Sequence, residues 1–157
     1  MAEEKYVIFR LDEEEYGVNI MKVREVSEVK KRVNVPNTPD FIDGIINLRG
    51  EVTPIVSLKK RFNLTADKFD ESARIIISNV EDKVIGFLVD EASQVISIDS
   101  EDIEETPEVI MGIDRQYIQG IGKTKDKMII ILDLDKVLTR EEVEQIGELE
   151  EKNMERA

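Results

Sequence analysis

The sequence predicts an all-β protein with short helices, arranged as two duplicated β-barrels. Three observations predict it. Short runs of β-branched and aromatic residues recur from Tyr6 to Leu132, each bounded by turn residues. The order of strands, then an oxygen-bearing cap, then a short helix occurs twice. No apolar run approaches the roughly 18–20 residues of a membrane span.

The elements follow in order. Tyr6 to Leu11 and Tyr16 to Ile20 flank Asp12-Glu13-Glu14-Glu15 and read as a hairpin. In the next stretch, Val23, Glu25 and Ser27 share one face if extended, and Arg24, Val26 and Glu28 the other. Neither face is cleanly apolar, so periodicity leaves the segment open. Lys30 to Asp43 carries Pro36 and Pro39 among Asn34, Asn37 and Thr38, which is loop chemistry. Gly44 to Leu48 and Val52 to Val56 form a second hairpin about Arg49-Gly50-Glu51. Pro54 cannot donate to a ladder and is expected at an edge or a bulge. Ser57 is a cap for a short helix from Leu58 to Phe62. Arg74 to Ser78, Val84 to Val89 and Gln94 to Ile98 are three more strands, followed by an acidic loop from Asp99 to Glu108. Tyr117 to Gly122 and Met128 to Leu132 complete the set, and Asp133 caps a second short helix through Leu138. From Thr139, Val143, Ile146 and Leu149 recur at helical spacing among glutamates, with fraying expected beyond Glu150.

The two halves overlay. Gly44-Ile45 matches Gly120-Ile121, and at the same offset Val52 meets Met128, Ile55 meets Ile131, Val56 meets Leu132, Ser57 meets Asp133, Leu58 meets Leu134 and Lys60 meets Lys136. A slightly different offset puts Gly17 on Gly86 and Val26 on Val95. The expected organisation is a domain over 5–139, with halves of about 5–66 and 72–139, and an acidic C-terminal helix over 140–157.

At 157 residues the chain buries roughly 68–70% of its unfolded surface, enough to fold on a core alone. Its 22 Lys+Arg against 35 Asp+Glu leave a net charge of −13. Such a surface repels phosphate backbones and anionic lipid, so neither nucleic acid nor a membrane is an expected partner. The chain has no His, Cys or Trp. That excludes a Ser-His-Asp triad, a Cys nucleophile, a phosphorylatable His and zinc sites of Cys and His. The charged N-terminus lacks a signal-peptide core, and a soluble cytoplasmic protein is expected.

Candidate chemistry is thin. Asp99 to Glu108 is rich in oxygen ligands, but Glu104 and Ile110 stand where a calcium loop needs Gly and Glu. A solvated acidic loop is the simpler reading; a calcium-binding or carboxylate-dependent hydrolase using 99–108 is the alternative. Gly120-Ile121-Gly122 lacks the third Gly of a phosphate loop, with Lys125 in its place, and reads as a strand bend or bulge. Lys30-Lys31-Arg32 and Lys59-Lys60-Arg61 read as ordinary surface charge before binding patches. Arg49 differs. It lies among Ile45, Ile46, Leu48, Val52, Ile55 and Val56 beside Gly50, where an apolar stem packs and the fork needs a partner; an exposed hairpin-tip arginine is the simpler reading and an anchor at a protein interface the functional one.

An ordered series of motifs then carries a resemblance over nearly the whole chain. The series is Glu14-Glu15-Tyr16-Gly17-Val18, Met21-Lys22-Val23-Arg24-Glu25-Val26, Pro36-Asn37-Thr38-Pro39, Phe41 through Gly50, Pro54-Ile55-Val56 and Gly86-Phe87-Leu88-Val89-Asp90 with Val95. It resembles the CheW family of bacterial chemotaxis adaptors, with Asn47-Leu48-Arg49-Gly50 the most specific element. The resemblance implies two packed five-stranded barrels of SH3/OB-like kind, with strands exchanged or not between repeats. It implies no catalytic residues and no cofactor or metal. It implies two partners, the regulatory domain of the histidine kinase CheA and the cytoplasmic tip of methyl-accepting chemotaxis receptors, and recruitment from the cytoplasm to membrane-associated arrays. Val23, Glu25, Asn47, Leu48, Arg49 and Gly50 fall at positions linked to coupling. Val23 and Leu48 are expected to touch a receptor helix in a groove between barrels. Arg49 either bonds a receptor carboxylate or pairs internally with Glu25.

Overall fold

A computed structural model describes residues 3–29, 31–64, 71–105 and 117–147. The strands are β1 (Glu3–Leu11), β2 (Glu14–Asn19), β3 (Val23–Glu28), β4 (Ile42–Leu48), β5 (Glu51–Ser57), β6 (Arg74–Val80), β7 (Lys83–Val89), β8 (Glu91–Asp99), β9 (Ile103–Glu104), β10 (Ile118–Lys123) and β11 (Met128–Leu132). Two one-turn helices, α1 (Leu58–Arg61) and α2 (Leu134–Val137), follow β5 and β11. Ser57 Oγ accepts from the Lys60 amide, and Asp133 Oδ1 from the Asp135 amide, so the two expected caps are in place. Among the described residues no helix is long and apolar enough to cross a membrane.

One sheet has the order β3-β6-β7-β5-β4 and the other β8-β1-β2-β11-β10-β9. Each bends round towards a ring. Shortly after β3, Val33 bridges to Ile45 of β4. In the other sheet β8 passes through the turn Ser100–Asp102 directly into β9, which pairs with β10. Counting β8–β9 as one bent strand, the result is two five-stranded barrels. The first, β3–β7, uses one continuous segment. The second is split, because the N-terminal hairpin β1–β2 joins β8–β11. The halves 5–66 and 72–139 each therefore give strands to both barrels.

The repeat explains the splice. β2 runs parallel to β11, with Gly17 opposite Ile131, and β7 runs parallel to β5, with Gly86 opposite Ile55. These are the residues that overlay in sequence. The start of each half matches too: the Ser57 amide donates to the Phe41 carbonyl, and the Asp133 amide to the Tyr117 carbonyl.

Three cores account for strands that read as unbroken apolar runs. Tyr6 and Ile8 of β1 fill the split barrel with Ile98, Ile129 and Ile131. Ile75 and Ile77 of β6 fill the continuous barrel with Ile46, Leu48, Ile55 and Leu88. The alternate residues, Val7, Phe9 and Leu11 on β1 and Ile76 on β6, meet in a third core between the barrels. A strand buried on both faces loses its polar alternation. Aromatic stacking crosses this junction from Phe9 to Tyr16 at 5.7 Å and Tyr16 to Phe62 at 6.5 Å, and Phe62 meets Tyr117 tilted at 5.7 Å.

Some expectations change. The open segment 23–28 is a strand whose Val23, Glu25 and Ser27 face is half-buried. Pro54 is on an interior strand. It is tolerated because the ladder with β7 begins only at Ile55. The hairpin's bulge lies instead between Ile42 and Gly44. The matching bulge, between Ile118 and Gly120, sits at the expected Gly-Ile-Gly bend. Residues 140–147 are helical, and Val143 and Ile146 are buried in the junction core. The fraying expected beyond Glu150 lies outside the described residues.

Candidate functional site

Two of the candidate residues, Glu25 and Arg49, meet where the first barrel closes. β3 and β4 end opposite sides of the sheet, so Glu25 on β3 and Arg49 at the β4–β5 tip become neighbours only when the sheet curls. Arg49 Nη2 lies 2.8 Å from Glu25 Oε2. The Arg49 side chain is 72% exposed and that of Glu25 24%. A register shift between Val23 and Glu25 opposite β6 re-aims Glu25 towards the seam. Lower on the same seam Arg32 pairs with Asp43. Gly44, at φ +143°, lets the β4 backbone pass Val33, since a Cβ there would lie 2.6 Å from the Val33 carbonyl oxygen.

The Asn-Leu-Arg-Gly element divides its work. Asn47 Oδ1 accepts from the Gly50 amide at 2.7 Å and braces the turn. Leu48 is 5% exposed and belongs to the barrel core. Its expected contact with a partner helix is therefore corrected: the side chain anchors the tip from inside. Val23 is half-buried and packs against the junction core. Arg49 and Gly50 both have positive φ, 52° and 89°. A left-handed pair suits a two-residue hairpin of right-handed twist, but an arginine in that region costs about 1–2 kcal/mol. The repeat-equivalent turn, Lys125-Asp126, uses no positive φ. The left-handed conformation recurs at the β6–β7 turn, where Glu81 and Asp82 have φ of 46° and 68°, so the torsion shapes the tip and does not by itself mark a site.

In the second basic cluster only Lys60 is exposed; Lys59 and Arg61 are drawn into the fold and are not the expected surface charge. Lys59 Nζ, with its side chain 6% exposed, sits 2.9 Å from Asp12 Oδ1 and 3.2 Å from Asp90 Oδ2. Asp12 at the β1–β2 turn also donates its amide to Asp90 Oδ2 at 2.6 Å. Burial alone would push the Lys59 ammonium down. The hydrogen bonds and charges of the two carboxylates outweigh it and hold its pKa above the usual lysine value. Sequence reading missed this cluster. The one available signal was a lysine directly after the first, apolar residue of a one-turn helix.

The acidic segment offers no cation site among the described residues, where no group of acidic side chains converges to hold a metal. Asp99 caps the turn at Ser100–Asp102, and Glu104 pairs with Lys123 at 2.7 Å. Residues 106–108 of the expected loop lie outside the described residues. Two surface hollows are remote from Arg49. One lies beside Tyr6 and Ile103 at the split barrel, and the other among Arg10, Glu15, Glu91 and Lys127.

The arrangement is a braced cation at a barrel closure, on a duplicated and strand-exchanged fold. The family model described as CheW-like domain matches residues 5–142. This chain belongs to the CheW-like family. It is 36% identical to the chemotaxis protein CheW of Klebsiella aerogenes over 140 residues, covering 89% of this chain and 84% of that one. It is 37% identical to the chemotaxis protein CheW of Treponema pallidum over 147 residues, covering 91% and 86%. The crystal structure of the scaffolding protein TtCheW from Thermoanaerobacter tengcongensis superposes with a TM-score of 0.82 at 40% identity, covering 90% of this chain and 92% of that one. These relatives are named chemotaxis proteins and the structural neighbour a scaffolding protein, a non-catalytic family.

Proposed function

We propose that this CheW-like chain couples the cytoplasmic tips of methyl-accepting chemotaxis receptors to the histidine kinase CheA, binding a receptor helix and the CheA regulatory domain. It does so from the cytoplasm, recruited to membrane-associated receptor arrays. The observation that carries the reading is Arg49, held outward on a left-handed turn and braced by Glu25 across the seam. A guanidinium so presented offers a charge-assisted bond in a fixed direction. Val23 and Glu25 supply the adjoining half-buried strand face, and Asn47, Leu48 and Gly50 hold the tip in shape.

Titration of the purified chain with a receptor cytoplasmic fragment, and separately with the CheA regulatory domain, tests this. The wild type binds both. Arg49→Asn removes the guanidinium but suits the turn, and Glu25→Gln removes the brace. Each weakens receptor binding about tenfold, the worth of one charge-assisted bond. Each shifts Tm by no more than about 3 °C, because an exposed ion pair contributes only about 0–1 kcal/mol. Folded wild-type protein that retains neither partner refutes the proposal. A variant that unfolds shows its position to be structural.

A further inference from the structure

Arg61 stands where the two repeats meet. Its guanidinium lies 5.2 Å from the Phe41 ring and 5.3 Å from the Tyr117 ring. Those two aromatics are repeat equivalents, one preceding β4 and the other β10. Nε donates to the Val137 carbonyl at 2.9 Å, and Nη2 to Tyr117 Oη at 2.8 Å and to Glu142 Oε1 at 3.0 Å. One side chain on α1 thus reaches from the continuous barrel to β10, α2 and the C-terminal helix.

Glu142 has a second duty. Its Oε1 also accepts from the Thr139 amide at 2.7 Å, while Thr139 Oγ1 accepts from the Glu142 amide at 3.1 Å. That is a reciprocal capping box at the start of the 140–147 helix. The two turns described, 140–147, do not persist alone in water. Within the described residues it is held by two buried side chains, Val143 and Ile146, and by the carboxylate that Arg61 grips.

We infer that the 140–147 helix is a strap over the barrel junction, opening and closing as a unit below the cost of global unfolding, with its N-cap and the junction latched through Glu142. Opening bares the junction residues beneath Val143 and Ile146 and releases Arg61 from Glu142, leaving its bonds to Val137 and Tyr117. Local opening of this kind is expected of elements with few buried contacts. The inference does not depend on the partner assignment.

Amide hydrogen exchange on the whole chain tests it, with the Val143 amide, bonded to the Thr139 carbonyl at 3.0 Å, as reporter. Arg61→Lys keeps the charge and loses the fork. It raises exchange across 140–147 about tenfold while β6 and β7 keep wild-type rates. Thr139→Ala breaks the cap without touching the first barrel, yet raises exchange at the α1 amides as well as in 140–147. The inference is overturned if Arg61→Lys leaves 140–147 as protected as in wild type. It is equally overturned if β6 and β7 speed up to the same extent, since the helix then has no opening of its own. A third overturning result is Thr139→Ala leaving α1 unchanged.

Discussion

Lys59→Met lowers the stability of the chain by about 3 kcal/mol, because it leaves the largely buried Asp90 carboxylate with the Asp12 amide but without its cation. For a domain of this size that is a fall in Tm of about 10 °C. Methionine fits the lysine stem, so the loss isolates the ammonium and its bonds to Asp12 and Asp90. Asp90 has a side chain only 15% exposed, and water cannot readily replace the cation there. The same variant gives a pH signature. A cation whose folded pKa is raised adds stability that is full below the unfolded value of 10.5 and is lost as pH rises through the folded value. The stability difference between wild type and Lys59→Met is therefore constant at neutral pH and shrinks above about pH 10.5. Tyr6 and Tyr16, whose hydroxyls burial pushes up, titrate in the same range but are common to both proteins. Chemical denaturation at neutral and alkaline pH measures this. Equal midpoints at neutral pH would show the Lys59 cluster to be solvated and dispensable.

Gly86→Ala costs about 2–3 kcal/mol, and Gly17→Ala at the equivalent point of the repeat costs about 1 or less. A Cβ on Gly86 would lie 2.6 Å from Ile55 Cδ1 and 2.7 Å from Ile75 Cγ2. Ile75 Cγ2 is a branch on its own Cβ and cannot swing away, and both isoleucines are fully buried. A Cβ on Gly17 meets nothing closer than 3.2 Å, at Ile129 Cγ2 and at the tip of Ile8, its Cδ1. Both glycines sit where parallel strands splice the repeats, so the pair reports how tightly each splice is packed. Denaturant midpoints of the two variants decide it. A larger loss at Gly17 would reverse the packing order described here.

The splices carry a further asymmetry. Lys59 on α1 bonds Asp90, which follows β7, whereas Asp135 on α2 bonds Lys22, which follows β2, at 2.7 Å. The geometry is repeated and the sign inverted. Lys22 is raised by its hydrogen bond to Asp135. A docking in which either hairpin took the other's place would set like charges together, so the inversion favours one assembly over its near-twin.

Much of this was legible in the residues. The hairpins, both helix caps and the repeat were written in local patterns: aliphatic runs, Gly at turns, an oxygen before an apolar residue. Ser57 and Asp133 act within a few bonds of themselves, so one dimension sufficed. Asn47-Leu48-Arg49-Gly50 was visible as a motif, though not as a division of labour, because only burial separates Leu48, turned inward, from Arg49, turned outward.

What the linear order determined was the set of strands, their duplication, the absence of His and Cys chemistry and the marked arginine. What only the folded chain decided was which strands share a barrel, that Glu25 lies beside Arg49, and that Lys59 and Arg61 belong to the junction. The reason is range. Caps and turns are set by torsions and bonds a few residues apart. Barrel closure and the parallel splices bring together groups far apart in sequence, and those contacts depend on three apolar surfaces being buried at once.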